Sequence, residues 1–239
     1  LSATTSPDAN TRQAAEAQLK QAQEQNLGAF LQSLANEVAT EAKPLDSRRL
    51  AGLILKNALD AKDEALKADK QDKWVAMDPN IRNAVKGCVW NQLGSPVQEI
   101  RHTCAQVIAK IAGAEMPKAL WTSLVTDLQN NMATGAQPGK RQSTLEALGY
   151  ICEEIEHEHL QETDVNAMLT AIVQGMRKEE ESNEIRLAAT NALVNAMYFV
   201  ESNFEREQER NYIMQVTCEA TVCTDVRVRQ AAYEVLVGA

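Results

Sequence analysis

Six arginines, at positions 12, 48, 101, 141, 186 and 229, stand in one local frame: a small residue three positions on, an aliphatic one seven positions on. Arg186 leads to Ala189 and Leu193, Arg229 to Ala232 and Leu236, and Arg141 to Thr144 and Leu148. Arg101 leads to Cys104 and Ile108, Arg48 to Ala51 and Leu55, and Arg12 to Ala15 and Leu19. In a helix of about 3.6 residues per turn, the +3 and +7 positions share a face. Around Arg186 that face is filled out by Ile185, Ala188, Ala192 and Met197. The frame returns every ~35–55 residues, which is the period of stacked helix pairs. A chain built this way buries its apolar faces between successive pairs and has no single central core.

Composition agrees. Of 239 residues, 44% are hydrophobic but only 4% aromatic, as expected where short helices pack through Ala, Leu and Val. Nowhere do apolar residues run alternately with polar ones, so the class is all-α. Specifically it is an α-α superhelix, a HEAT-repeat solenoid of armadillo-like kind. Acidic residues outnumber basic ones 33 to 24, giving a net charge of −9. That balance favours a basic partner and disfavours nucleic acid. No run of about 18 apolar residues is available to span a membrane. Five single cysteines without a CxxC pair fit small core residues in a reducing compartment. The chain opens at Leu1 and stops inside an apolar pattern at 235–239, so a fragment of a longer array is expected.

Start signals divide the chain into one array over 1–239. Ser6-Pro7 opens a helix over 6–23, the second helix of a first repeat. Helices at 27–40 and 45–59 make the second repeat, 27–59. The charged run at 60–72 reads as a connection. Asp78-Pro79 and Ser95-Pro96 open the two helices of the third repeat, 79–112. Pro117 opens a helix at 118–131, a loop follows at 134–139, and 140–156 completes the fourth repeat, 117–156. The fifth spans 163–200 and the sixth 204–237. Trp74, Trp90 and Trp121 read as packing residues.

Catalytic and metal chemistry find no support. Gly135 and Gly139 are separated by three residues, not the four of a phosphate-binding loop, and Arg141 stands where Ser or Thr is required. His157 and His159 point apart on a helix and have no third ligand at zinc spacing. No Ser/His/Asp or Cys/His arrangement can be built, and acidic runs such as 179–181 read as solvated surface. Neither cofactor nor catalytic residue is expected.

Longer words are more specific than the frame: GLILKNAL at 52–59, STLEALGYICEEI at 143–155, LTAIVQGMRKEE at 169–180 with RLAATNAL at 186–193, and ERNYIMQVTCEAT at 209–221. WVAMDPNIRNAVK at 74–86 and EMPKALW at 115–121 add to them. Together they resemble the N-terminal part of the importin-β (karyopherin-β) family of nuclear import receptors, across essentially the whole chain. The resemblance implies a shuttling receptor of cytoplasm, nucleus and pore complex, with two binding surfaces. Cargo, or the importin-α adaptor, would engage later repeats.

On the inner wall, the small GTPase Ran in its GTP form would meet Lys56 and Asn57 of the LKN word. The +5 and +9 positions of the helical frame add Leu53, Gln106, Lys110, Glu146 and Tyr150, with Glu153 one turn on. On the outer wall, two neighbouring helices would leave a groove for phenylalanines of FG-repeat nucleoporins. That surface carries over to Leu169, Thr170 and Val173, and to Glu209, Tyr212 and Ile213. Two positions depart from the family pattern, which has Ile where this chain has Val173 and Phe where it has Tyr212. Val173→Asp is expected to abolish FG binding and leave the fold intact. The competing reading is a HEAT scaffold, such as a phosphatase scaffold subunit, with no transport role.

Overall fold

The computed structural model describes residues 1–133 and 135–238. Thr134, first residue of the expected 134–139 loop, and Ala239, last of the apolar run, lie outside them, as does the side chain of His157. Among the described residues there are thirteen α-helices and no strand, and no helix is long and apolar enough to cross a membrane. The chain forms two compact units, Leu1–Ala114 and Glu115–Ala239.

In the first unit, α1 (Ala9–Gln25) begins two residues later than Ser6-Pro7 suggests. The Asp8 carboxylate accepts the Thr11 amide at 2.8 Å, and its charge on the helix N-terminus makes it the stronger cap. Next come α2 (Leu27–Ala39) and α3 (Leu45–Ala58), which pack together, with α5 (Pro79–Asn91) lying against α2. Their shared interior is Phe30, Leu31, Leu34, Val38, Ala51, Leu55, Val85 and Val89. The charged run after α3 is not a bare connection, since α4 occupies Glu64–Val75. It is nucleated by Asp63, whose side chain accepts the Leu66 amide at 2.8 Å, and anchored by a fully buried Trp74. One large aromatic outweighs the weak amphipathicity of the rest. The unit closes on α6 (Gln98–Glu115). A Cβ at Gly52 of α3 would collide with the Thr103 side chain of α6, so glycine permits that approach.

In the second unit, Pro117 opens only a single 3-10 turn, Met116–Lys118, because Ala119 turns left-handed at φ 53°. The helix proper, α7 (Leu124–Asn130), is therefore half the expected length. It is followed by α8 (Pro138–Glu154), α9 (Glu162–Met176) and α10 (Asn183–Ala196). Three more complete the unit: α11 (Glu201–Glu205), α12 (Glu207–Ala220) and α13 (Val226–Gly238). Contacts run α7–α9–α12 in one row and α8–α10–α13 in the other, with α7–α8, α9–α10 and α12–α13 pairs between rows. Gly149 of α8 lets α10 approach so closely that an added Cβ would sit 3.1 Å from the Ala192 Cα.

The arginine frame holds physically. Its +3 residues Ala51, Cys104, Thr144, Ala189 and Ala232 are all fully buried, as are Leu55, Ile108, Leu148 and Leu193 at +7. On α1 the frame stays partly exposed. The guanidinium itself plays a repeated part. Arg12, Arg101 and Arg229 each donate to the carbonyls six and five residues earlier, at 2.7–3.3 Å. This clasp fixes how the chain enters the helix. Arg48 and Arg186 instead reach the following repeat, Arg48 to Gln92 Oε1 at 2.9 Å and Arg186 to Cys223 Sγ at 3.0 Å.

Candidate functional site

α9 and α12 lie side by side in one row, and between them runs an open groove of about 430 Å³. Its floor follows from periodicity. Leu169 and Val173 are i,i+4 neighbours on α9, and Ile213 of α12 meets them; each is no more than 6% exposed. Tyr212, the next residue along α12, is 47% exposed and forms the rim. Thr170 is exposed and donates its hydroxyl hydrogen to the Asn166 carbonyl at 2.7 Å. All six expected groove residues thus line one cavity.

Four further lining residues are Asn166, Gln174, Arg177 and Asn203. Asn166 and Gln174 belong to α9, where periodicity could have found them, whereas Arg177 follows the helix with a non-helical backbone. Asn203 comes from α11 and stands one residue before the sixth repeat, whose first helix the sequence pattern opens at Phe204. The structure breaks that helix at Arg206, whose backbone is extended. Arg206 forms ion pairs with Glu162, at the start of α9, and with Glu209 of α12, the latter at 3.2 Å. Asn203 is 2% exposed and donates from Nδ2 to Asn166 Oδ1 at 2.7 Å and to Glu209 Oε2 at 2.6 Å. These bonds tie α9 to α12 at one end of the groove. The hydrogen bond from Asn203, and then the Arg206 guanidinium, hold the Glu209 carboxyl below the usual carboxylate range.

The other expected residues fall in two separate sets, one in each unit. On α3, Leu53 and Asn57 are exposed and Lys56 half-buried, one face at i, i+3 and i+4. On α6, Gln106 bonds the His102 ring at 3.1 Å. Lys110 pairs with Asp60 at 2.8 Å, both side chains largely covered. Burial pushes the Asp60 carboxyl up, but the Lys110 hydrogen bond and charge, aided by Lys67, bring it below its ordinary value. On α8 of the second unit, Glu146 accepts from Gln142 at 3.0 Å and Glu153 from Asn195 at 2.6 Å, while Tyr150 is half-buried between them. Several of these side chains therefore already serve intramolecular bonds.

Helix pairs stacked in two rows in the second unit, a buried repeat frame and an apolar groove between same-row helices define the class: a HEAT-type helical-repeat protein. Comparison with known proteins narrows it. Residues 15–95 match the importin-β N-terminal domain. The chain is 47% identical to importin subunit beta-1 of Arabidopsis thaliana over 231 residues, 97% of this chain and 26% of that protein. Kap95p, the yeast importin-β, superposes at a TM-score of 0.93 in a structure in which it induces the switch loops of RanGDP to adopt the GTP-bound conformation. There the identity is 36%, over 99% of this chain and 28% of Kap95p. In the Kap95–Nup1 complex the TM-score is 0.90, at the same identity and coverage. The chain belongs to the importin-β family. It spans about a quarter of the length of the relatives it matches.

Proposed function

We propose that this chain is the part of a nuclear import receptor that engages both the pore and Ran. The α9–α12 groove takes phenylalanine side chains of FG-repeat nucleoporins, and the exposed α3 face, with α6 and α8, takes Ran in its GTP form, which releases cargo. The observation that carries the first half is the convergence of six residues from two helices on one groove with an apolar floor and a half-exposed aromatic rim. A single phenylalanine covered there contributes at most a few kcal/mol, about 2–3. Each contact is weak, and many motifs in series supply avidity without trapping the receptor in the pore. Cargo, or an importin-α adaptor, is carried by repeats other than these, and the whole receptor moves between cytoplasm and nucleus. This is a binding role and needs no catalytic residue.

The test is fluorescence anisotropy of a labelled Phe-x-Phe-Gly peptide against the parent chain and Tyr212→Asp. Weak saturable binding by the parent, lost in the variant, supports the reading. A parent that does not bind returns the chain to a scaffold role. For the second surface, Lys56→Ala with Asn57→Ala is expected to weaken binding of Ran loaded with a non-hydrolysable GTP analogue. Unchanged affinity would remove both residues from that surface.

A further inference from the structure

Resting on the groove assigned above, we infer that it reads the main chain of its ligand as well as an aromatic ring, through an α9 amide whose orientation is set by Asn203 and Glu209 at one end of the groove. The inference begins with Glu209. Ionised, its carboxylate can only accept hydrogen bonds. The Asn203 side chain that meets it at 2.6 Å must therefore present Nδ2. That nitrogen carries a second hydrogen, directed at Asn166 2.7 Å away, so Asn166 must present Oδ1 in turn. With its oxygen committed to Asn203, Asn166 turns its own NH2 group away from that contact, on a residue that lines the groove. Flipping Asn203 would set its oxygen against the oxygens of Asn166 and Glu209, and flipping Asn166 would set one NH2 group against another. The order is maintained even though Asn203 Oδ1 is left buried with no hydrogen-bond partner.

Eight residues further along the same stripe, Gln174 donates from Nε2 to the Met132 carbonyl at 3.4 Å. Its Oε1 stays available as an acceptor. The groove thus offers a donor at Asn166 and an acceptor at Gln174, flanking the Leu169–Val173 floor. At about 1.5 Å of rise per residue the two lie ~12 Å apart along α9. An extended peptide of four residues spans about 13 Å. The ligand class is therefore an extended tetrapeptide segment. Its aromatic side chain enters the floor, one carbonyl accepts from Asn166, and one N–H donates to Gln174. Asn203 and Glu209 act here as positioning residues.

The decisive variant is Asn166→Asp, which keeps an oxygen for Asn203 and removes the outward NH2. It is compared with the parent for a Phe-x-Phe-Gly peptide and for N-acetylphenylalanine ethyl ester at high concentration, both followed by NMR shift titration. The expected result is about five-fold weaker peptide binding, the worth of one hydrogen bond. Binding of the small ester, held by its ring alone, is expected to stay unchanged. Asn203→Leu, which frees Asn166 to turn, should move the peptide in the same direction and spare the ester. If the parent binds the peptide and Asn166→Asp binds it equally well, main-chain reading is wrong and the FG groove stands. If the parent binds neither ligand, the groove assignment itself fails. If peptide and ester weaken together while the helical circular dichroism is unchanged, the amides shape the floor and do not read the main chain.

Discussion

Placing the same charge at two depths of the groove separates folding from binding. Val173 is 6% exposed and Tyr212 47%, so the expectation that Val173→Asp leaves the fold intact does not survive the structure. The substitution gives up the burial of a valine, about 2 kcal/mol. It also sets a carboxyl beside the apolar side chains of Leu169 and Ile213, which costs roughly 2 kcal/mol more even after the group takes up a proton. A total near 4 kcal/mol is a large part of what holds a domain together. At Tyr212 the new carboxyl stays hydrated, and the loss is about 1 kcal/mol, set by the ring's covered half. Both variants should lose FG-peptide binding, but only Val173→Asp should shift the urea transition of the helical circular dichroism strongly. The penalty has a sign in pH. The new carboxyl titrates higher in the folded chain than in the unfolded one. Taking up the proton adds a further cost that is full at neutral pH and fades as pH falls toward about 4, while the costs of the neutral carboxyl and of the lost valine remain. If Val173→Asp unfolds with the parent, the floor is not buried as described. If Tyr212→Asp retains full binding, α12 is not a wall of the site.

Other outcomes follow from particular contacts. A Cβ at Gly175 would stand 2.8 Å from Leu145 Cδ1 and 2.9 Å from Ala189 Cβ, so Gly175→Ala should lower stability by about 1–3 kcal/mol; an unchanged urea midpoint would mean that α8, α9 and α10 are loosely packed. Burial pushes the Cys104 and Cys152 thiols up to about 12, whereas Cys218 is exposed. Iodoacetamide at pH 8 should label Cys218 in the native chain and the other two only on unfolding, as read by peptide mass spectrometry. Hydrogen bonds from the Arg227 side chain and then its backbone amide lower the Asp225 carboxyl to about 2. Stabilisation from that group is present above pH ~4 and lost as pH falls toward 2; in Arg227→Gln the NMR-detected midpoint should rise toward the ordinary value of 3.8. Lys110→Met should raise the Asp60 midpoint and lower stability by about 1 kcal/mol, and no change in either would show that the Lys110–Asp60 pair contributes nothing to the fold.

What the sequence revealed and what it hid divide along one physical line. The groove residues were legible only through the family resemblance; helix periodicity, a local property, explains why Leu169 and Val173 form one ridge. The arginine frame was legible from spacing alone, because periodicity is local, although its clasp onto carbonyls five and six residues back could not be read that way. The misjudged segments were set by single residues whose effect depends on what surrounds them. Trp74 turns a charged run into α4 by burying its ring, and Ala119 in a left-handed conformation cuts short the helix expected after Pro117. The break at Arg206 belongs with them, since partners 44 and three residues away in sequence hold it open.

That break matters more to the site than its length suggests. Had the chain from Phe204 continued as one helix, Asn203 would have stood just ahead of its first turn. Extended at Arg206, the chain folds α11 back so that Asn203 is buried between the walls, and Arg206 holds Glu162 and Glu209 from outside. The apolar floor is supplied by helix periodicity, which any repeat of this kind possesses. Its polar end is supplied by an interruption of that periodicity. A repeat array gains a distinctive site at one position where the regular pattern is locally broken and the broken ends are hydrogen-bonded to neighbouring helices. On this argument, restoring helix continuity with Arg206→Ala should leave the floor residues buried and reduce peptide affinity through the loss of Glu209 and Asn203 order. Binding equal to the parent would show that the floor alone suffices.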